Sequence, residues 1–318
     1  MNNLDREIVA SVRRYGETHQ LDVRTYSHDW IVELEHDGRV HHVFGYDLGL
    51  NSSTTHRLCN DKAATYEVLS AHGVNAFPHY LFLHPRWLDY VAVDGNWARM
   101  LETFKTLGGD VVVKDNEGTG GKEVLRATTV KELEQVATTI FETARSLAIS
   151  PYLDIQVELR FVLLDGAPLL VYAKDRPVVI GDGQQTIGAL IAGLDLPPDV
   201  DREILAEIAP LHPATHVPDR DEVITVQWRH NLGRGGRPRM LDVNDPDLED
   251  ALDLARAAAA HTNLRFGSVD IAVVDGAPKV LEINSGVMLE HLSDAADDGA
   301  ALADRIYHAV LDRVFGKD

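Results

Sequence analysis

The chain has one cysteine, Cys59, among 318 residues, so no internal disulfide can brace it, and a cytoplasmic location is the expectation. Long apolar runs are missing as well. Hydrophobic residues nowhere continue for the roughly 20 positions of a membrane-spanning helix, and the amino terminus lacks a signal-like apolar core, so no membrane partner is expected. Basic residues are scarce: 30 Lys and Arg stand against 50 Asp and Glu, a net charge of −20. Such a surface repels a phosphate backbone, which argues against a nucleic-acid partner and requires any phosphate to be met by a local cluster. Aromatics make up only 7%, but 45% hydrophobic and 25% charged residues are ordinary for a globular protein, and the length predicts two or three subdomains. The 15 histidines show no close metal spacing, and the adjacent His41 and His42 would point to opposite faces of a strand.

A Walker A box is also absent. The glycine-rich stretch Asn116 to Gly121 lies between two strand-like segments, Val111 to Lys114 and Lys122 to Ala127, and no helix follows it directly, which excludes a dinucleotide fingerprint. A strand, glycine loop and strand can still lay backbone N–H groups over phosphates, with Lys114 alongside. The same pattern also fits an ordinary hairpin tip.

What is present begins near the carboxyl end. Phe266 to Leu292 carries Asp270, Glu282 and Asn284 on two strand-like segments joined by Asp275-Gly276-Ala277-Pro278. A two-residue turn would pair Val269 with Glu282 and separate the acids. A three-residue loop, Asp275-Gly276-Ala277, pairs Asp270 with Glu282 and collects Val269, Ile271, Val273, Leu281 and Ile283 on the apolar face, so we expect that register. Two opposed carboxylates about 5 Å apart repel unless neutralised, and an oxygen-ligated divalent cation neutralises them. A polar sheet face is the plainer alternative.

Upstream, a short amino-terminal helix and a hairpin about Asp37-Gly38 are expected within 1–58. Asn60 or Asp61 would cap a helix running to about His72, leaving Lys62 in a first turn where a cation is unfavourable unless an anion is near. Thr129 and Glu132 form a capping box opening a helix to about Leu147. A second Asp-Gly-Ala-Pro hairpin, at Asp165 to Pro168, would set Glu158 opposite Lys174 and Arg160 opposite Tyr172. Gly181-Asp182-Gly183 precedes a helix as a candidate anion site. Arg229, Arg234, Arg237 and Arg239 gather beside Gly233, Gly235 and Gly236, a basic island suited to an anion.

In order and form, Asp61-Lys62, VVVKDNEGTGGKEV, ELRFVLLDG, RPVVIGDGQQTI, RHNLGRGG and Asp270 followed by LEIN resemble the ATP-grasp ligase superfamily over roughly residues 59–292. They are more similar to its cyanophycin-synthetase, glutathione-synthetase and RimK-like members than to its carboxylases. The resemblance implies an α+β ATP-grasp fold, two α+β subdomains clasping ATP. It implies a short segment at 1–58, an N-lobe at 59–149 with the glycine loop, and a C-lobe at 150–318 with the metal site. By position, Lys62, Lys114, Glu117, Gly118, Gly120, Gly121 and Glu158 would bind ATP. Arg229, Lys174 and Asn231 would act at the transferring phosphoryl group, with Gly236 nearby, and Asp270, Glu282 and Asn284 would hold Mg²⁺, with Mn²⁺ an alternative. The implied reaction joins small-molecule carboxylate and amine substrates through an acyl phosphate, and a homodimer is a further expectation. A kinase-like or carboxylate-thiol ligase and a non-catalytic ATP-binding partner stay open. Only about 58 residues precede the Asp61-Lys62 helix, so substrate recognition is expected in 193–240 or on a partner.

Overall fold

The computed structural model describes residues 6–91, 96–120, 123–194, 196–293 and 298–317. These fall into two units, 1–171 with 241–318, and 172–240.

The first unit opens with the helix Glu7–His19, longer than expected, followed by β1 (Asp22–Tyr26), β2 (Ile31–His36) and β3 (Arg39–Phe44) in one antiparallel sheet. The expected hairpin is β2 and β3; β1 is an added strand. The helix packs against the closing helix Gly299–Phe315, and the Tyr15 hydroxyl donates to Asp312 at 2.9 Å. The helices Ser53–Asn60 and Lys62–Ala71 come next. Asp61 caps the second, its Oδ1 accepting from the Ala64 N–H at 2.8 Å, and Gly73 follows at φ +73°, where only glycine is unstrained.

A four-stranded sheet then forms in the order β4 (Tyr80–Leu83), β7 (Ser146–Pro151), β5 (Val111–Asp115), β6 (Val124–Ala127). The strands flanking the glycine loop pair as expected, Lys114 opposite Val124. The capping box at Thr129 and Glu132 is complete, but the helix is Val130–Phe141 and stops short of Leu147. Ser146 to Ser150 is a strand between β4 and β5, buried on both faces, with Leu147, Ala148 and Ile149 between two buried serines.

β8 (Val157–Leu164) and β9 (Ala167–Asp175) lead to β10 (Val178–Ile180), β11 (Val223–Thr225) and β12 (Arg237–Met240) in the second unit, then back to β13 (Phe266–Val274) and β14 (Ala277–Asn284). Within the first unit β8, β13 and β14 are adjacent and antiparallel, backed by the helix Glu249–Thr262. The second unit has its own apolar core: Val179 and Ile224 from paired β10 and β11, Ile187 and Ile191 from the helix Ile187–Ala192, and Val200, Ile204 and Ile208 from the helix Pro198–Ile208. There β12 pairs with Tyr172 to Asp175 of β9.

The hairpin turns differ from expectation. Val274 pairs with Ala277, leaving a two-residue turn of Asp275 (φ +51°) and Gly276 (φ +76°). Asp165-Gly166 and Asp37-Gly38 repeat those angles, so all three are the tight turns whose twist matches the strands. A tight turn alone would put Val269 opposite Glu282. A β-bulge between Asp270 and Ile271 shifts the register, so Ile271 meets Val280, Leu281 is skipped, and Asp270 meets Glu282. The expected pairing of the acids therefore holds for a different reason. Val280 and Ile283 are buried, while the bulged Leu281 packs against Phe77, Ala272 and Val274.

Candidate active site

Most of the candidate residues stand on elements of the first unit, while Lys174, Arg229 and Asn231 belong to the second. Lys62 lies in the first turn of its helix, and its ammonium donates to the Gly118 carbonyl at 2.6 Å and the Asn116 carbonyl at 3.4 Å. Asn116, fully buried, returns the contact, its Oδ1 accepting from the Ala63 N–H at 3.0 Å. The cation that opposes its own helix dipole is thus tied to the carbonyls of the glycine loop. Glu117 is held by its N–H donating to Asp115 Oδ1 at 3.0 Å, and Gly120 takes φ +71°. Gly121 lies outside the described residues.

Lys114 projects from β5 and is buried. Burial and then the neighbouring Lys62 push its ammonium down to about 8, against which Glu282 and Glu158 pull upward. Lys62, Lys114, Glu158 and Glu282 therefore share one electrostatic neighbourhood. His79 completes it. Asn75 to Phe77 runs along β14, the Phe77 N–H donating to Val280 O at 2.8 Å, and carries His79 into a small cavity it shares with Lys62, Tyr66 and Glu282. Burial, then Lys114 and Lys62, keep this imidazole neutral. Its Nδ1 donates to the Phe77 carbonyl at 2.9 Å, so Nε2 carries the lone pair, and among the described residues that atom has no partner; neither has Asn116 Nδ2. One buried acceptor and one buried donor left open beside two lysines fit a polar, anionic ligand.

On β13 and β14, Asp270 is fully buried and directly opposite Glu282, and Asn284 Nδ2 lies 3.4 Å from Glu282 Oε1. Arg160 of β8 sits opposite Asp270 on the other side. Its Nε and Nη2 donate to the two Asp270 oxygens at 2.6 Å each, and Nη2 is 3.9 Å from Glu282 Oε1. Two carboxylates and an amide are a hard-cation donor set suited to Mg²⁺ or Mn²⁺. The guanidinium stands in here for the positive charge that such an ion would bring. No group of three His, Cys, Asp or Glu gathers as a metal cluster among the described residues.

Ser285 Oγ lies 2.7 Å from His56 Nδ1 and Asp47 Oδ2 3.8 Å from the same atom. Both use one imidazole nitrogen, and Asn60 Nδ2 donates to Nε2 at 3.1 Å, so His56 Nδ1 carries the proton and donates to Ser285. That is a brace for the strand end; a base would need the lone pair there.

In the second unit, Arg229 is held by Glu207 at 2.6 Å and Glu203 at 3.0 Å, Arg234 also pairs with Glu203, and Arg239 forks onto Asp175 at 2.9 and 3.2 Å. Three arginines of the basic island, Arg229, Arg234 and Arg239, thus pair with acids of the helix Pro198–Ile208 and of β9. Lys174 is buried, its carbonyl accepting from His230 Nδ1 at 2.6 Å, and Asn231 O accepts from the Gly236 N–H at 3.0 Å. The Gly181-Asp182-Gly183 loop is corrected as an anion site: Asp182 Oδ1 already accepts from the N–H groups of Gln184 and Gln185 at 2.8 and 2.7 Å.

No family model matches the sequence, and no curated protein matches it significantly. Solved structures do match the fold. A bifunctional glutathione synthetase from Pasteurella multocida superposes with TM-score 0.54 at 15% identity, over 90% of this chain and 41% of that one. A D-alanine–D-alanine ligase from Bacillus anthracis gives TM-score 0.53 at 15% identity, over 83% of this chain and 71% of that one. The chain has the fold of these proteins, the ATP-grasp fold. It spans less than half the length of the first of these proteins.

Within the ATP-grasp fold, sequence reasoning passed over three residues. Arg160 sat in a quoted motif with no role, and its alternation with Glu158 on one strand face was the available signal. His79 had none, because its place depends on a segment pairing with β14 from about 200 residues away in sequence. Asn51 likewise staples the strand ends, its Oδ1 accepting from the Arg265 and Phe266 N–H groups at 2.9 and 3.2 Å and its Nδ2 donating to Phe266 O at 2.6 Å.

Proposed function

We propose that the protein is an ATP-dependent carboxylate–amine ligase acting on an amino acid or small peptide. The observation that carries this reading is the convergence, in one ATP-grasp unit, of two lysines, a glycine loop and an opposed pair of acids. Lys114 feels Lys62, Glu282 and Glu158 at once, and Asp270 faces Glu282 across the ladder.

In this reading Lys62 and Lys114 take the nucleotide phosphates, and the loop that carries Gly118 and Gly120 closes over them. Glu158 receives the ribose hydroxyls. A carboxylate oxygen of the substrate attacks the γ-phosphorus and ADP leaves. An amine then attacks the acyl carbon, the C–N bond forms, phosphate departs with the C–O bond electrons, and the nitrogen loses a proton. Charge develops on phosphoryl oxygens throughout, so fixed cations lower the barrier without a protein nucleophile. Cys59, buried with its thiol pushed up to about 11, is unsuited to that part. Lys174, Arg229 and Asn231 are assigned to the phosphoryl group and the acceptor. Asp270, Glu282 and Asn284 would hold Mg²⁺, which supplies charge neutralisation to the phosphates when bound. An acyl phosphate is lost to hydrolysis if wet, so the loop over Gly118 and Gly120 serves to exclude water.

Phosphate release measured over a pool of amino acids and dipeptides with ATP and Mg²⁺ tests the reading. Turnover should appear with at least one acid–amine pair, with an amide by product mass, and should vanish in Asp270→Asn and Glu282→Gln. Undiminished turnover in both variants would remove the assigned site.

A further inference from the structure

The same three strands hold a feature that the ligase reading leaves unused. Arg160 grips both oxygens of Asp270 at 2.6 Å, and its Nη2 reaches to 3.9 Å from Glu282 Oε1. The Asp270 side chain is fully buried, Arg160 is only 19% exposed, and Glu282 is 29% exposed. The fork comes from the fold. Arg160 and Asp270 are register partners between β8 and β13, while Asp270 and Glu282 are partners between β13 and β14, so three charged side chains stand in one row across the sheet.

We infer that Arg160 is a resident cation that keeps a divalent metal off the Asp270–Glu282 pair until nucleotide is present. This rests on the assignment of Asp270, Glu282 and Asn284 as a metal site. The argument is one of charge and space. Two carboxylates in a poorly solvated row need a positive partner, and the guanidinium meets that need through a planar two-point fork. A divalent ion on the same oxygens would sit within a few ångströms of the guanidinium, where the two cations repel strongly. One must leave for the other to bind. Asp270 cannot turn to water, because it is buried, so the ion alone has to displace a charge-assisted fork and receives mainly Glu282 and Asn284 in return. A polyphosphate changes both sides of that balance. It offers oxygens to the ion and, at the same time, an alternative anion for Arg160. Binding is then ordered by preference: nucleotide enters first or together with the metal, and the metal alone is held weakly.

The test is a Mn²⁺ titration of the full-length protein followed by electron paramagnetic resonance of the free ion, with and without a non-hydrolysable ATP analogue. Glu282→Gln serves as the blank for ions held elsewhere on the acidic surface. Wild type should bind Mn²⁺ weakly alone and at least tenfold more tightly with the analogue. Arg160→Met, which keeps the side-chain volume and loses the charge, should bind Mn²⁺ alone at least tenfold more tightly than wild type. Its midpoint of thermal unfolding should also rise more on adding Mn²⁺. Arg160→Lys, charged but unable to fork, releases one Asp270 oxygen and should show a several-fold gain, so it decides the matter if Arg160→Met folds poorly. Equal affinity for Mn²⁺ alone in wild type and both variants, with wild type still responding to the analogue, overturns the inference and leaves the metal site standing. Failure of every protein to bind Mn²⁺ above the blank, even with analogue, overturns both.

Discussion

The ammonium of Lys62 donates to the carbonyl of Gly118 at 2.6 Å, fastening the first turn of one helix to the glycine loop between two strands. A lysine at a helix start opposes the macrodipole, and here the loop carbonyls of Gly118 and Asn116 offset that cost. The same ammonium is what the ligase reading offers to phosphate, so the loop is tethered to the charge that would bind beneath it. Lys62→Met removes a charge-assisted hydrogen bond worth roughly 1.5–3 kcal/mol, or about 10- to 150-fold. We expect nucleotide-analogue affinity to fall by that order, and backbone exchange over 115–120 to speed up in the ligand-free protein. Unchanged exchange would mean that Lys62 does not secure the loop.

Lys114 sets the pH behaviour of the same neighbourhood. Burial and Lys62 bring its ammonium down to about 8, from an ordinary value of 10.5. A lowered lysine value means that the folded protein gives up its proton before the unfolded chain does. Below pH 8 both states are charged and the penalty on the folded state is fully present. Between about pH 8 and 10.5 the unfolded chain binds the extra proton, so this residue makes stability rise with pH. Lys114→Met should therefore raise ligand-free stability at neutral pH, by an amount on the order of 3 kcal/mol, and flatten the rise. Nucleotide-analogue affinity has the opposite dependence: it should weaken above pH 8 in wild type and stay flat, at a lower level, in the variant. Denaturant titrations and binding isotherms from pH 6.5 to 9.5 check both.

In the second unit Arg229, 5% exposed, is compensated by Glu207 at 2.6 Å and Glu203 at 3.0 Å. Glu207→Gln keeps an acceptor and removes the carboxylate charge that lies 2.6 Å from this buried guanidinium, a loss of roughly 1–3 kcal/mol. Local unfolding of 172–240, followed by hydrogen exchange, should become easier by that amount while exchange in β13 stays unchanged. An unaltered second unit would show that Arg229 is held by contacts other than these acids.

Much of this was legible in the chain because it is local. Asp61 as a cap, the Thr129 and Glu132 box, the strands around the glycine loop and the positions, though not the lengths, of the Asp-Gly turns are each decided within a few residues. The pairing of Asp270 with Glu282 was legible too, although through a wrong turn. Counting side chains along a hairpin gives the parity of the mismatch; it leaves open whether an extra residue sits in the loop or as a bulge at Leu281. What stayed hidden depends on distant pairing. Ser146 to Ser150 becomes a strand because β4 and β5 flank it, and His79 and Arg160 join the site because β14 and β13 bring the site to them. β1 was missed because its exposed and half-buried residues give no apolar period.

The last prediction concerns the strand ends that aim Asn284. Gly267 stands on β13 one residue before Ser268, the register partner of Asn284. A Cβ added there would lie 2.5 Å from the Asn284 carbonyl oxygen and 2.8 Å from a Leu264 methyl. Leu264 can turn away, but the carbonyl is backbone and cannot move without parting the two strands. Asn51, bonded to Phe266 O at 2.6 Å and Ser285 O at 3.2 Å, resists that parting from the other side. Gly267→Ala should thus cost about 1–3 kcal/mol, in the range of an overpacked site, and displace Asn284 while leaving the bulge and the Asp270–Glu282 pairing intact. Mn²⁺ affinity with the nucleotide analogue should drop several-fold, whereas analogue affinity without metal should hold. Adding Asn51→Ala to Gly267→Ala relaxes the clamp, so the double variant should recover part of the Mn²⁺ affinity even as its stability falls further. A metal affinity that simply tracks stability across wild type, Gly267→Ala and the double variant would show that Asn284 is not aimed by this contact.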